Sequence, residues 1–220
     1  MTFSSDAAGS FDLWTKRADG SAQAVPQFHE KGNSFGSRWS HDGKWLIFQT
    51  SDWSSPGSGD IVGIRPGLDT VPVPLVATTF RETSPALSPD GHCLAYTSNE
   101  SGDFEVYVVP FPNTAAAKWV VSTHGGSQPQ WSHTGRELFY RDASGNLVAV
   151  EVKTTPTFSA GRSTTLFPAA GFASFPFRPQ YDVSGDDQHF LMIRPLPASG
   201  PDQLIVVDNW FEELKDKSRK

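Results

Sequence analysis

The residues best suited to chemistry in this 220-residue chain are scattered. Gly32-Asn33-Ser34-Phe35-Gly36 has the G-x-S-x-G spacing of a nucleophile elbow, in which a serine sits on a sharp strand-to-helix turn. Here the run falls between two strand signals and no helical period follows it. Its glycines read as serving a turn between repeats, and Ser34 is given no catalytic role. The six histidines, His29, His41, His92, His124, His133 and His189, include no pair at metal-ligand spacing, and no pair of cysteines assists them. Asp42-Gly43 and Asp90-Gly91 read as turn chemistry, since no loop alternates acidic ligands as a calcium loop does. There is no Gly-rich phosphate loop ending in Lys-Ser/Thr and no kinase catalytic loop. The single cysteine, Cys93, excludes an internal disulfide and reads as a small buried hydrophobe beside Leu94. Asn99-Glu100-Ser101 is a formal glycosylation sequon. No catalytic residue, metal or cofactor is expected.

The elements that would position any site are strands. Thr83 to Gly126 holds four short strand signals, with Pro89-Asp90-Gly91 as a tight turn after the first. Leu94 and Tyr96 alternate with Ala95 and Thr97, which is a period of two. The unit recurs. Ser40-His41-Asp42-Gly43, Ser88-Pro89-Asp90-Gly91, Ser132-His133-Thr134-Gly135 and Ser184-Gly185-Asp186-Asp187 are offset by 48, 44 and 52 residues. From each serine the sixth residue is Leu46, Leu94, Leu138 or Phe190, and the eighth is Phe48, Tyr96, Tyr140 or Met192. The residue before the serine is Trp39, Leu87, Trp131 or Val183. A four-strand repeat of this length predicts an all-β propeller of four-stranded antiparallel blades; a β-sandwich with similar turns would lack the fixed register.

The register sets the organisation. Phe3 to Trp14 matches Tyr96 to Tyr107 without a gap, so residue 1 falls inside a blade's second strand. The propeller is assigned to residues 1–210: a partial blade at 1–30, blades at 34–80, 81–126 and 127–170, and a partial blade at 178–208, with a tail at 211–220. The expectation is an incomplete ring of about five blades, the C-terminal part of a longer protein, able to self-associate through open blade edges. The linker Ala169 to Pro179 carries Phe172, Phe175 and Phe177, read as packing across a blade junction, with an exposed recognition loop as the alternative. Inter-blade loops and first-strand starts would form the rim and channel: Arg38, Arg81, Glu82, Thr83, Ser84, His124, Ser127, Gln128, Arg178 and Gln180. They are a mixed-charge set without convergent acid–base pairs, and read equally as a recognition surface or a solvated rim.

Composition narrows the partners. Net charge is −6 with no basic run, so nucleic acid is not expected. No apolar run approaches the roughly 18 residues of a membrane span. The opening MTFSSDAAGS has neither a positive region nor an apolar core, so it is not read as a signal peptide.

The S-P-D-G turn, CLAYTSN and FEVYVVPFP together resemble the TolB-type repeat of six-bladed propellers. Ser88–Pro112, Trp119–Tyr140 and Leu204–Leu214 more closely resemble the C-terminal propellers of bacterial eukaryotic-like serine/threonine kinases. That resemblance implies a non-catalytic protein-interaction or ligand-sensing module of a signalling protein, on the periplasmic or extracytoplasmic side. The alternatives it leaves are a TolB-like periplasmic scaffold binding envelope proteins and, third, the gating propeller of a prolyl-oligopeptidase-type peptidase. Thr134 and Asp187 depart from the repeat, replacing a turn Asp and a turn Gly, and put the tightness of those two turns in doubt.

Overall fold

Period-two alternation becomes strands along the whole described chain. The computed structural model describes residues 1–7, 9–28, 32–51, 59–175 and 177–195. Residues 196–208 of the partial blade expected at 178–208, the tail 211–220, residues 52–58 and His29 lie outside the described residues. Strands β1 (Thr2–Ser5), β2 (Asp12–Thr15) and β3 (Val25–Phe28) form a three-stranded sheet. Three four-stranded sheets follow in chain order. They are β4 (Asn33–Trp39) to β5 (Leu46–Ser51), β6 (Ile61–Ile64) and β7 (Val73–Val76); then β8 (Glu82–Leu87), β9 (Cys93–Ser98), β10 (Glu105–Pro110) and β11 (Trp119–Val120); then β12 (Gly126–Trp131), β13 (Glu137–Asp142), β14 (Asn146–Lys153) and β15 (Ser159–Pro168). β16 (Tyr181–Val183) pairs with β17 (Phe190–Met192). Every pairing is antiparallel between chain neighbours, and no helix occurs among the described residues. This is an all-β propeller, each sheet a blade.

The core sits between blades. Leu46 and Phe48 pack with Leu13 of the first sheet, whereas Ile47 between them packs with Leu94, Tyr96 and Tyr107 of the third. Leu138 and Tyr140 face back onto Ala95 and Val106, while Phe139 faces forward to Tyr181 and Val183. Phe190 and Met192 close the same pattern against Phe139 and Leu147. The sixth and eighth residues after each turn serine therefore face the preceding blade; the seventh faces the following one at Ile47, Ala95 and Phe139, while Leu191, the seventh of the last copy, is exposed. Cys93 is buried in the interface between the third and fourth sheets, and burial pushes its thiol up to about 11. Two tryptophans pin neighbours by hydrogen bonds: Trp131 Nε1 donates to Ala86 O at 2.9 Å and Trp39 Nε1 to Thr2 Oγ1 at 2.9 Å.

Backbone bonds repeat at the junctions. Ser34 N–H donates to Phe11 O, Glu82 N–H to Gly59 O and Gly126 N–H to Phe104 O, each at 2.7 Å. These donors stand six residues before the turn serine, so every bond ties a first strand to the preceding blade. Ser34 is accordingly a buried strand residue inside β4, not part of a turn between blades, and no elbow forms around it.

Two strand boundaries differ from expectation. The third sheet's first strand begins at Glu82, ahead of the Thr83 at which the strand signals start, and a bulge between Thr83 and Ala86 interrupts its alternation. The fourth sheet's last strand, for which the residues gave no strand signal over most of its length, runs over ten residues from Ser159. Most of its side chains are exposed, so no apolar pattern marked it.

The turn serine earns its place in all four copies by accepting a hydrogen bond from the N–H five residues on: Trp45, Cys93, Glu137 and His189, at 2.9 to 3.0 Å. Both departing turns close normally. Gly135 N–H reaches Ser132 O at 3.0 Å, and Asp187 N–H reaches Ser184 O at 2.9 Å with Asp187 at φ 58°. The departures also meet. The Asp187 carboxylate accepts from His133 N–H at 2.7 Å and Thr134 N–H at 3.1 Å, and lies 2.9 Å from His133 Nδ1. His133, in the turn of the fourth sheet, thus joins two blades.

Leu94→Ala is expected to lower stability by about 2–5 kcal/mol, and Val120→Ala, exposed on an outer strand, by no more than about 0.5 kcal/mol, measured by urea denaturation. Thr134→Asp would set a second carboxylate against Asp187. Its cost should shrink in an Asp187→Gly background, giving a double-mutant coupling of about 1 kcal/mol or more.

Candidate functional site

The inner strands share an unusual backbone position four residues before the turn serine. Gly36, Ser84 and Gln128 have φ of 63°, 54° and 59°. For serine and glutamine this left-handed conformation costs about 1 kcal/mol or more, and it persists where surroundings fix it. The preceding blade does so. Ser84 N–H donates to Gln49 Oε1 at 2.8 Å, and Gln128 N–H to Thr97 Oγ1 at 3.2 Å. Gln49 and Thr97 both stand nine residues after their turn serine. The next residue in that register is Arg141, which has no acceptor. At that junction Gln128 substitutes, its Oε1 accepting Gln180 N–H at 3.0 Å.

Arg141 is put to another use. Nearly buried, it donates to Ala169 O at 2.7 Å and Ala173 O at 2.9 Å, and so holds the linker before β16. Gln128 Nε2 donates to Ser174 Oγ at 2.9 Å, and Tyr181 Oη to Gln128 O at 2.9 Å. Phe172 joins the core between the last two sheets. Phe177 meets the Phe104 ring edge-on at 6.1 Å and lies beneath the Arg81 guanidinium at 4.7 Å. The linker phenylalanines therefore mainly pack; Phe175, 39% exposed, carries the Arg178 guanidinium at 5.4 Å.

The residues expected at the rim separate into two groups. Glu82, Thr83, Ser84 and Gln128 are buried. Arg38 and Arg178 are exposed, Arg81 and Gln180 half-buried. His124 is exposed and, with Ser127, borders a separate hollow beside Asp103 and Asp142. Arg38, Ser84 and Arg178 come together in one depression of about 300 Å³, with Ser4, Ser37 and Gln49. No carboxylate lines it. Among the described residues, neither guanidinium has a carboxylate within 4 Å. Arg81, Glu82, Gln128 and Gln180 lie outside this depression.

Glu82 serves structure. Thr78 Oγ1 donates to its carboxylate at 2.5 Å, and Ser98 Oγ lies at 3.5 Å. Burial raises its pKa above the ordinary 4.5, Thr78 only partly offsetting this. Sequence reasoning missed Gln49, Thr97 and Arg141; their shared place nine residues after the turn serine was the available signal. Among the described residues, no three His, Cys, Asp or Glu side chains are grouped to hold a metal ion. No described helix is long and apolar enough to cross a membrane.

No protein-family model and no curated protein matches the chain. Solved structures do. TolB from Acinetobacter baumannii superposes with a TM-score of 0.62 over 90% of this chain, at 14% identity. The fold is that of a TolB-like β-propeller. A putative TolB from Agrobacterium tumefaciens (TM-score 0.55, 16% identity, 74% of this chain) and a gluconolactonase from Xanthomonas campestris (0.57, 13%, 83%) share it. The chain spans 47% of the first TolB, 61% of the second and 62% of the gluconolactonase. At these identities the TolB-like likeness is one of fold.

In the TolB-like frame Glu82 occupies a slot filled by Ser34 and Gly126 in the neighbouring blades, and a pH series tests its burial. A raised folded pKa means that the native state binds more protons than the unfolded one above pH 4.5, so ionising Glu82 erodes stability as pH rises. Glu82→Gln should match the parent near pH 4 and become progressively more stable than it toward about pH 7, by urea midpoints. A constant difference across the series would place Glu82 in solvent.

Proposed function

We propose that this chain is a non-catalytic propeller binding module of a bacterial signalling protein, recognising its ligand or partner on the inner-strand face. The observation that carries the reading is the inner-face depression, where two exposed guanidiniums meet polar strand residues without a carboxylate or a base beside a nucleophile. Cation-rich, acid-free surfaces on rigid strands suit recognition of anionic groups; general acid–base catalysis needs groups that exchange a proton with substrate. Ser34, the sole residue in a nucleophile-type motif, is buried in a strand. The kinase-associated role follows from the resemblance of Ser88–Pro112 and Trp119–Tyr140 to kinase propellers. The TolB neighbours support an envelope scaffold as the second reading.

The purified chain should show no turnover of peptide, p-nitrophenyl ester or lactone substrates, with or without added Ca²⁺, Mg²⁺ or Zn²⁺. Turnover that Ser34→Ala abolishes, or that depends on an added metal, would overturn the non-catalytic reading.

A further inference from the structure

Ser84 is one of three described residues, with Trp14 and Gln130, that carry a buried side-chain polar atom without a hydrogen-bond partner. Its side chain is buried, its backbone is held at φ 54°, and its hydroxyl has no hydrogen-bond partner among the described residues. An unpaired buried hydroxyl costs about 1–3 kcal/mol, and unpaired groups of this kind gather at binding sites. Glycine, which stands at the same register position in the preceding blade as Gly36, would avoid both the strain and the unpaired group. Ser84 lines the depression that Arg38 and Arg178 also line. A ligand oxygen there would meet a hydroxyl donor together with two guanidinium forks.

We infer that this depression is an oxyanion-binding site, in which Arg38, Arg178 and the Ser84 hydroxyl hold a small molecule or terminal group bearing carboxylate or phosphate oxygens. The inference rests on the binding-module reading and names its ligand class. Guanidiniums favour such groups because their paired N–H donors match two oxygens at once. About 300 Å³ is at the small end of ligand sites, enough for a dicarboxylate or a phosphate-bearing group. The site also spans the arc: Arg38 comes from β4, Ser84 from β8 and Arg178 from the linker before β16. Occupancy would tie three separated segments together.

The test is calorimetric titration of the full chain with succinate and, separately, with inorganic phosphate, at low ionic strength with matched sodium chloride as reference. Saturable binding of one or both probes is expected, and the probe that binds identifies the oxyanion type. Arg38→Gln and Arg178→Gln should each weaken binding about tenfold or more. Ser84→Gly should also weaken it, severalfold, while raising the melting temperature, because it removes the hydroxyl and relaxes the backbone together. A loss of binding in that variant cannot be put down to unfolding. Absence of saturable binding for both probes, an equal response to sodium chloride, or undiminished binding in the Arg38→Gln/Arg178→Gln double variant would overturn the site. Those results leave the non-catalytic reading standing, whereas substrate turnover overturns that reading and leaves the site intact.

Discussion

A sheet four strands wide, with strands of two to ten residues, cannot bury both faces against itself. Each of the three four-stranded blades has its two faces covered by two different neighbours, and depends on both. That single requirement accounts for the distribution of apolar residues. Leu94 and Tyr96 must complement Ile47 and Ile61 behind them, while Ala95 must complement Leu138 and Tyr140 ahead. At the junction of the third and fourth sheets, the large Leu138 and Tyr140 facing backward meet the small Ala95 facing forward, so that interface interdigitates. The polar elements then fix the angle between sheets: a backbone bond at the start of β4, β8 and β12, and a side-chain acceptor from the preceding blade at the bulges of β8 and β12.

Where a repeat position cannot supply its usual bond, another residue does. Arg141 cannot accept the next blade's N–H, so the carbonyl oxygen of Gln128's amide does, and Arg141 is released to hold the linker. Thr134 lacks the carboxylate of its counterparts, and Asp187 in the next blade provides one. These exchanges all fall at the junction of the last two described blades, the one place where a long linker replaces the regular first-strand tie.

Much of this was legible in the residues. The spacing of Leu46, Leu94, Leu138 and Phe190 marked the blades because burial against a neighbour demands a fixed register. The start of β8 was not legible, since a left-handed Ser84 followed by Pro85 breaks the alternation. β15 was hidden for the opposite reason: with water on most of its length, it needs no apolar pattern. Glu82 looked like a solvent residue because charge ordinarily signals exposure, and only packing shows its enclosure. Arg38 and Arg178 are 140 residues apart in sequence, and their convergence is set by the curvature of the arc.

The lone thiol has a use beyond packing. Cys93 lies in the seam between the third and fourth sheets with its proton held tightly by burial, so an alkylating reagent can reach its reactive thiolate only when that seam parts. Its modification rate would therefore act as a clock for one hinge of the arc, reporting how often two adjacent blades breathe apart without any foreign label being introduced.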